Sequence, residues 1–228
     1  MPPHLGLIGR SATPDEPMRC AVLISGSGSG MEALVYAQQI APLAHQTCLV
    51  ISNQGNVEGV QRALALGVAT EVVPHLTPSG ERIPRHDHET SVLELLNQHN
   101  IEIVVLAGYM RLLSARFLSR WDRPVVNIHP SLLPNFPGAH AHRDVLASST
   151  TVTGCSIHLV DEGMDTGALI AQACVPVLPH DDEASLAQRV KVEEHRLYPQ
   201  VLSWIAEGRV HLTNDGLRLD GQPPNLVC

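Results

Sequence analysis

Residues 124–138, from Pro124 to Gly138, restrict what this chain can fold into more than any other stretch. Val125 and Val126 form the apolar end of a buried strand. Asn127 and His129 follow two residues apart, so both point to the same side of the extended chain. Pro130, Pro134 and Pro137 then exclude a helix and stiffen the loop. The result is an amide donor and an imidazole side by side at the carboxyl end of a strand, which is where ligands bind in open parallel sheets. Asparagine can donate a hydrogen bond to a developing oxyanion, and histidine can move a proton near neutral pH.

The stretches around this segment supply a sheet to carry it. Cys20 to Ser25 is a continuous apolar strand, followed by Gly26-Ser27-Gly28-Ser29-Gly30 and a helix over 31–40. Strand, glycine loop and helix form a phosphate-binding layout, because backbone N–H groups and a helix N-terminus favour an anion. The spacing is G-x-G-x-G, and the next strand, 48–51, ends in Ser52-Asn53 with no acid for a ribose. A phosphate monoester therefore fits better than a dinucleotide. A helix over 57–66 ends at Gly67, a short strand covers 71–73, and a proline-rich loop covers 74–85. A helix follows over 85–99. Ile103 to Ala107 reads as a central parallel strand. Met110, Arg111, Leu112 and Leu113 leave its carboxyl end as an apolar wall around one cation, suited to a flat anionic ligand.

Toward the C-terminus the pattern changes. A helix is expected over 138–148, and strands over 152–160 and 168–177 are joined by the acidic, glycine-bearing turn from Asp161 to Gly167. So short a link implies antiparallel neighbours. A long amphipathic helix spans 182–205, with Leu186, Val190, Leu197, Val201 and Ile205 on one face. Glu194 interrupts that stripe, so it should be paired or reach a ligand. Pro199 is expected to kink or shift the helix. Residues 210–219 read as a hairpin around Asn214-Asp215-Gly216. The fold class is therefore α/β: one domain with a mostly parallel twisted sheet, helices on both faces, and antiparallel strands toward the C-terminus.

Composition narrows the function. The 228 residues carry 15 Lys and Arg against 23 Asp and Glu, a net charge of −8, which argues against a broad nucleic-acid surface. No apolar run is long enough to span a bilayer. Among the five cysteines there is no C-x-x-C pair. Cys20, Cys48, Cys155 and Cys174 lie in or beside apolar strands and read as small buried hydrophobes in a reducing cytoplasm. Cys228 is the last residue, so it cannot be a prenylation site. His86 with His88, and His140 with His142, are each two apart on a helix and cannot share a metal ion. Residues 1–17 read as a flexible tail.

Taken together, the glycine loop, the 106–113 stretch, Asn127 to Gly138, Asp161 to Gly167, Lys191 to His195 and Leu219-Asp220-Gly221-Gln222 resemble the glycinamide ribonucleotide transformylases. These are the folate-dependent formyltransferases of purine synthesis, and the resemblance covers roughly residues 20–223. It implies a Rossmann-like formyltransferase domain over 18–228. It implies 10-formyltetrahydrofolate as co-substrate, no metal, small-molecule partners, and a cytoplasmic monomer or homodimer. Asn127 and His129 would stabilise and protonate a tetrahedral intermediate, and Asp165 would hold His129 or favour its charged form. Gly28, Ser29 and Gly30 would bind the phosphate and Glu194 the ribose, with Lys191, Val192 and Glu193 lining that pocket. The folate would lie against Arg85, Met110, Arg111, Leu112, Leu113, Asn127, Asp161, Glu162, Gly163, Met164 and Asp165. Ser27 and Gly30 stand where relatives often carry Asn, which leaves phosphate binding to the backbone. Methionyl-tRNA formyltransferase would need a further domain and a basic surface, and formyltetrahydrofolate hydrolase an N-terminal regulatory domain. A nicotinamide-dependent oxidoreductase would need the missing ribose acid.

Overall fold

The computed structural model describes residues 6–223 and 225–227. In chain order the elements are β1 (Gly6–Leu7), β2 (Met18–Ile24), α1 (Ser29–Ile40), β3 (His45–Ser52), α2 (Glu58–Ala65) and β4 (Thr70–Val72). They continue with α3 (Arg85–Gln98), β5 (Ile103–Leu106), α4 (Ala115–Trp121), β6 (Val125–His129) and α5 (Ala141–Ala147). The chain then forms β7 (Val152–Leu159), β8 (Leu169–Pro176), α6 (Glu183–Ala206), β9 (Val210–Thr213), β10 (Gly216–Leu219) and β11 (Asn225–Val227). This is the expected α/β class, mostly parallel, with antiparallel pairs toward the C-terminus. It divides into two compact units.

The unit Ala12–Val125 is built on parallel strands in the order β5-β2-β3-β4. Cys20 to Ile24 and Ile103 to Val105 are fully buried, which is why these strands are unbroken apolar runs rather than alternating ones. Each large aliphatic side chain buried here contributes about 1.5–3 kcal/mol. Gly67 ends α2 with a φ of 74°. The short helix α4 has no counterpart in the sequence reading. Its N-cap is Ser114, whose hydroxyl accepts from Phe117 N at 3.1 Å and itself donates to the buried carboxylate of Glu89.

The other unit takes in Val126 onward and the segment before Ala12. Its strands run β11-β8-β7-β6, with β6–β7 and β7–β8 antiparallel and β8–β11 parallel, beside a small antiparallel sheet β1-β9-β10. The helix α6 packs on β7 and β8. Asp182 and Ser185 close a reciprocal capping box at its N-terminus. The face carrying Leu186, Val190, Leu197, Val201 and Ile205 is buried as expected, and the helix runs on through Pro199. The Tyr198 hydroxyl donates to Val126 O at 3.1 Å and so ties α6 to β6.

Some expectations shift. α5 begins at Ala141, after Pro137 and a left-handed Gly138 with φ 88°. Within the expected tail, Gly6 and Leu7 pair with Leu212 and His211, and residues 1–5 lie outside the described residues. Cys20 and Cys155 are free and buried, and Cys48 is free and half-buried. Cys174 departs from the expectation: it is disulfide-bonded. Its strand, β8, is the one that β11 joins at Ala173↔Val227, and sequence alone does not show that the chain's last strand arrives there. Cys228 lies outside the described residues.

Candidate active site

Asn127 and His129 sit on β6, and β6 pairs antiparallel with β7 so that Asn127 faces His158 and His129 faces Ser156. His129 is buried and held at both ring nitrogens. Nε2 donates to the carbonyl of Phe136 at 2.8 Å, while Nδ1 stands 3.3 Å from Asp165 Oδ2. Both partners come from unusual backbone: Phe136 has φ 54° and Asp165 φ 56°, left-handed values that cost a non-glycine residue about 1–3 kcal/mol.

Local structure enforces these positions. The loop after β6 is stitched down by buried polar groups. Ser131 Oγ donates to Asn135 O at 2.6 Å, Leu133 N donates to Ser156 Oγ at 2.9 Å, and Gln172 Nε2 donates to Leu133 O at 2.9 Å. The turn between β7 and β8 is closed by Asp161, whose Oδ1 accepts from Gly163 N at 3.0 Å and Thr166 Oγ1 at 2.7 Å. A Cβ at Gly167 would lie 1.7 Å from Leu159 O, so only glycine lets the turn close this tightly. Gly138 N then donates to Asp165 Oδ2 at 2.8 Å. The adjacent His158 ring, the Gly138 N–H and His129 together outweigh burial and hold the Asp165 carboxyl below its ordinary value.

On α6, Glu194 is half-buried, and among the described residues it has no hydrogen-bonded or ion-paired partner. Desolvation pushes its carboxyl up to about 7, only partly offset by Lys191. Of its neighbours, Glu193 pairs with Arg196 at 2.7 Å and Val192 is 63% exposed. In the turn, Met164 is half exposed, and Asp161, Glu162 and Gly163 are exposed.

In the unit Ala12–Val125, Gly28 is the N-cap of α1, with φ 68° and no side-chain cap. The first N–H groups of the helix are therefore open to an anion, and Ser29 and Gly30 belong to its first turn. A Cβ on Gly28 would lie 2.7 Å from Gly59 Cα, and Gly59 N donates to Gly26 O at 3.0 Å. After β5, Met110 is 69% exposed, Leu112 is exposed and Arg111 half-buried, while Leu113 turns inward. Ser25 Oγ fixes this segment by accepting from Met110 N at 2.8 Å. Arg85 opens α3 and is exposed.

Residues 18–202 match the formyl transferase family. The phosphoribosylglycinamide formyltransferase of Escherichia coli is 37% identical over 209 residues, covering 91% of this chain and 97% of that protein. This chain belongs to that family. The solved phosphoribosylglycinamide formyltransferase of Coxiella burnetii superposes with a TM-score of 0.85 at 37% identity, covering 93% of this chain and all of the other. The trifunctional purine biosynthetic protein adenosine-3 of Gallus gallus is 40% identical over 199 residues. This chain spans 19% of its length.

For a member of this formyltransferase family, the sequence reading was incomplete in two places. It did not single out His158, whose Nε2 lies 3.1 Å from Asn127 Nδ2 and 3.6 Å from Asp165 Oδ1. The available signal was a histidine inside an otherwise buried strand, and that alone does not tell a core residue from a site residue. It also did not find Phe136, which acts through its carbonyl and leaves no mark in side-chain identity. Asn127, His129 and Asp165 are brought together in one unit, and Gly28 to Gly30 and Met110 to Leu113 in the other.

Proposed function

We propose that this formyltransferase moves a formyl group from 10-formyltetrahydrofolate to the amino group of glycinamide ribonucleotide in purine biosynthesis. The observation that carries the reading is His129 clasped between Phe136 O and Asp165, with Asn127 two residues away on the same face of β6. The amine attacks the formyl carbon and the carbonyl oxygen becomes negative. Asn127 offers that oxygen a side-chain N–H. When the bond to N10 breaks, N10 leaves with a proton from His129, and His129 takes back the proton that the attacking nitrogen gives up. The proton count is therefore unchanged, and Asp165 stays beside the imidazole while its charge changes. The step as written needs no metal ion.

Binding divides between side chains and backbone. The uncapped N-terminus of α1, at Gly28, Ser29 and Gly30, takes the phosphate, and on α6 Glu194 takes the ribose hydroxyls, with Lys191, Val192 and Glu193 beside it. Exposed Met110, Leu112 and Met164 offer the apolar surface that a folate ring needs. Arg111 and Arg85 supply cations for its acidic tail, and Asp161 to Asp165 supply the turn beside it. We take residues 18–228 as the formyltransferase domain, acting on small molecules in the cytoplasm as a monomer or homodimer. The test is purified protein with both substrates. Formylated glycinamide ribonucleotide should accumulate in step with tetrahydrofolate. Its absence, or formate release instead of transfer, would overturn the reading, and formate release would favour a formyltetrahydrofolate hydrolase.

A further inference from the structure

Buried beside the Asn127–His129–Asp165 group is a second imidazole that the mechanism above does not use. We propose that His158 is a positioning residue that fixes the Asn127 side-chain amide as a donor at the site of formyl transfer, an inference that rests on the role given to Asn127 above.

The argument begins with the strand pair. The antiparallel register of β6 and β7 sets Asn127 directly opposite His158, and His158 is only 2% exposed. Its Nδ1 lies 2.8 Å from Leu159 O. A carbonyl can only accept, so Nδ1 carries a proton and donates it. Nε2 is left with two neighbours: Asn127 Nδ2 at 3.1 Å and Asp165 Oδ1 at 3.6 Å. The second distance is longer than a hydrogen bond and the first is not. The shorter contact assigns the Nε2 lone pair to an N–H of Asn127.

That bond settles a choice the backbone leaves open. An asparagine amide can turn end for end, exchanging its N–H₂ and its oxygen at almost no change of shape. Turned, it would set Oδ1 against the Nε2 lone pair, two acceptors facing each other in a buried site, and an unsatisfied buried acceptor costs about 1–3 kcal/mol. One orientation survives. One N–H of Asn127 is spent on His158, and the other stays available for the oxygen that becomes negative. The other oxygen of Asp165 serves elsewhere: Oδ2 receives Gly138 N at 2.8 Å and stands 3.3 Å from His129 Nδ1.

The test has two arms. Nitrogen-15 NMR of histidine-labelled protein at neutral pH should show His158 protonated at Nδ1 and bare at Nε2; a proton on Nε2 would overturn the proposal. In the second arm, His158→Phe keeps a ring but removes Nε2. Its kcat should fall about tenfold, with KM for each substrate within about threefold of the parent. In an Asn127→Ala background the same substitution should change kcat less than about twofold, because it acts through Asn127. An equal loss in both backgrounds would overturn the positioning role while leaving the function intact. Near-normal turnover in Asn127→Ala alone would sink the role of Asn127 and this proposal with it. If His158→Phe does not fold, the NMR arm on the parent protein still decides.

Discussion

The two units of this chain prepare for a ligand in opposite ways. Around β6, the candidate catalytic groups already have protein partners: His129 bonds to the Phe136 carbonyl and stands beside Asp165, Asp165 accepts from a backbone N–H, and Asn127 lies against His158. At the start of α1, the backbone donors have no side-chain cap and wait for a partner. The contrast fits the roles proposed for the two groups. A group that stabilises a short-lived charge must be aimed in advance, because reorienting it during reaction costs rate. A group that holds a phosphate needs only exposed donors in a fixed frame, and α1 supplies the frame.

Breaking the preorganised side should have the largest effect. His129→Ala and Asn127→Ala are each expected to lower kcat by ~10²–10³, with folding intact by circular dichroism. A folded His129→Ala protein with near-normal turnover would refute the assignment. Asp165→Asn should come next, with kcat at saturating folate down by about tenfold or more. It should also leave a stability signature. The carboxyl is held below its ordinary value in the folded chain, so its contribution is full above that value and is lost as pH falls through the depressed one. The melting temperatures of parent and variant should differ near pH 7 and converge in strong acid. A constant gap across pH would mean the charge of Asp165 is not what stabilises.

On the open side, Gly28→Ala should act through the backbone. The new Cβ meets Gly59 at 2.7 Å and the left-handed φ adds strain, so the melting temperature should drop. The KM for ribonucleotide should rise about tenfold and the KM for folate much less. Equal weakening of both substrates would make the loop purely structural. The smallest effect is reserved for Glu194→Gln, which sharpens the comparison by testing a binding group kept unpaired. The folded carboxyl titrates at about 7, above its ordinary value, so the folded state holds its proton more tightly and loses stability as pH rises from the unfolded value through 7. Glu194→Gln should therefore melt higher than the parent at pH 8 and close to it at pH 5. A parent that melts higher at pH 8 would show that Glu194 has a stabilising partner.

Most of the frame was readable because its cause is local. The runs at 20–24 and 103–106 are apolar throughout, since both faces of a central parallel strand are covered. The stripe on α6 was regular enough for one carboxylate to stand out. Short elements were not readable: α4 has seven residues and β1 only two, too few for a period to show. Within the site, Asn127 and His129 announced themselves by spacing and Asp165 by family resemblance. His158 depends on strand register and the Phe136 carbonyl on a left-handed turn. None of these is a property of neighbouring letters.

The contact between Gly28 and Gly59 changes what counts as the phosphate motif. Gly59 has no room for a side chain either: its Cβ would lie 2.6 Å from Ile24 Cδ1 and 2.7 Å from Gly26 O. The second crossover helix thus presses its own first turn into the loop, and the loop's curvature is a shared product of two helices. In this chain the G-x-G-x-G loop closes only because a glycine well beyond it in the sequence leaves room for it. The contact also marks Gly59 as a position where alanine would push against Gly26 and Gly28 and so disturb the loop from a distant part of the sequence.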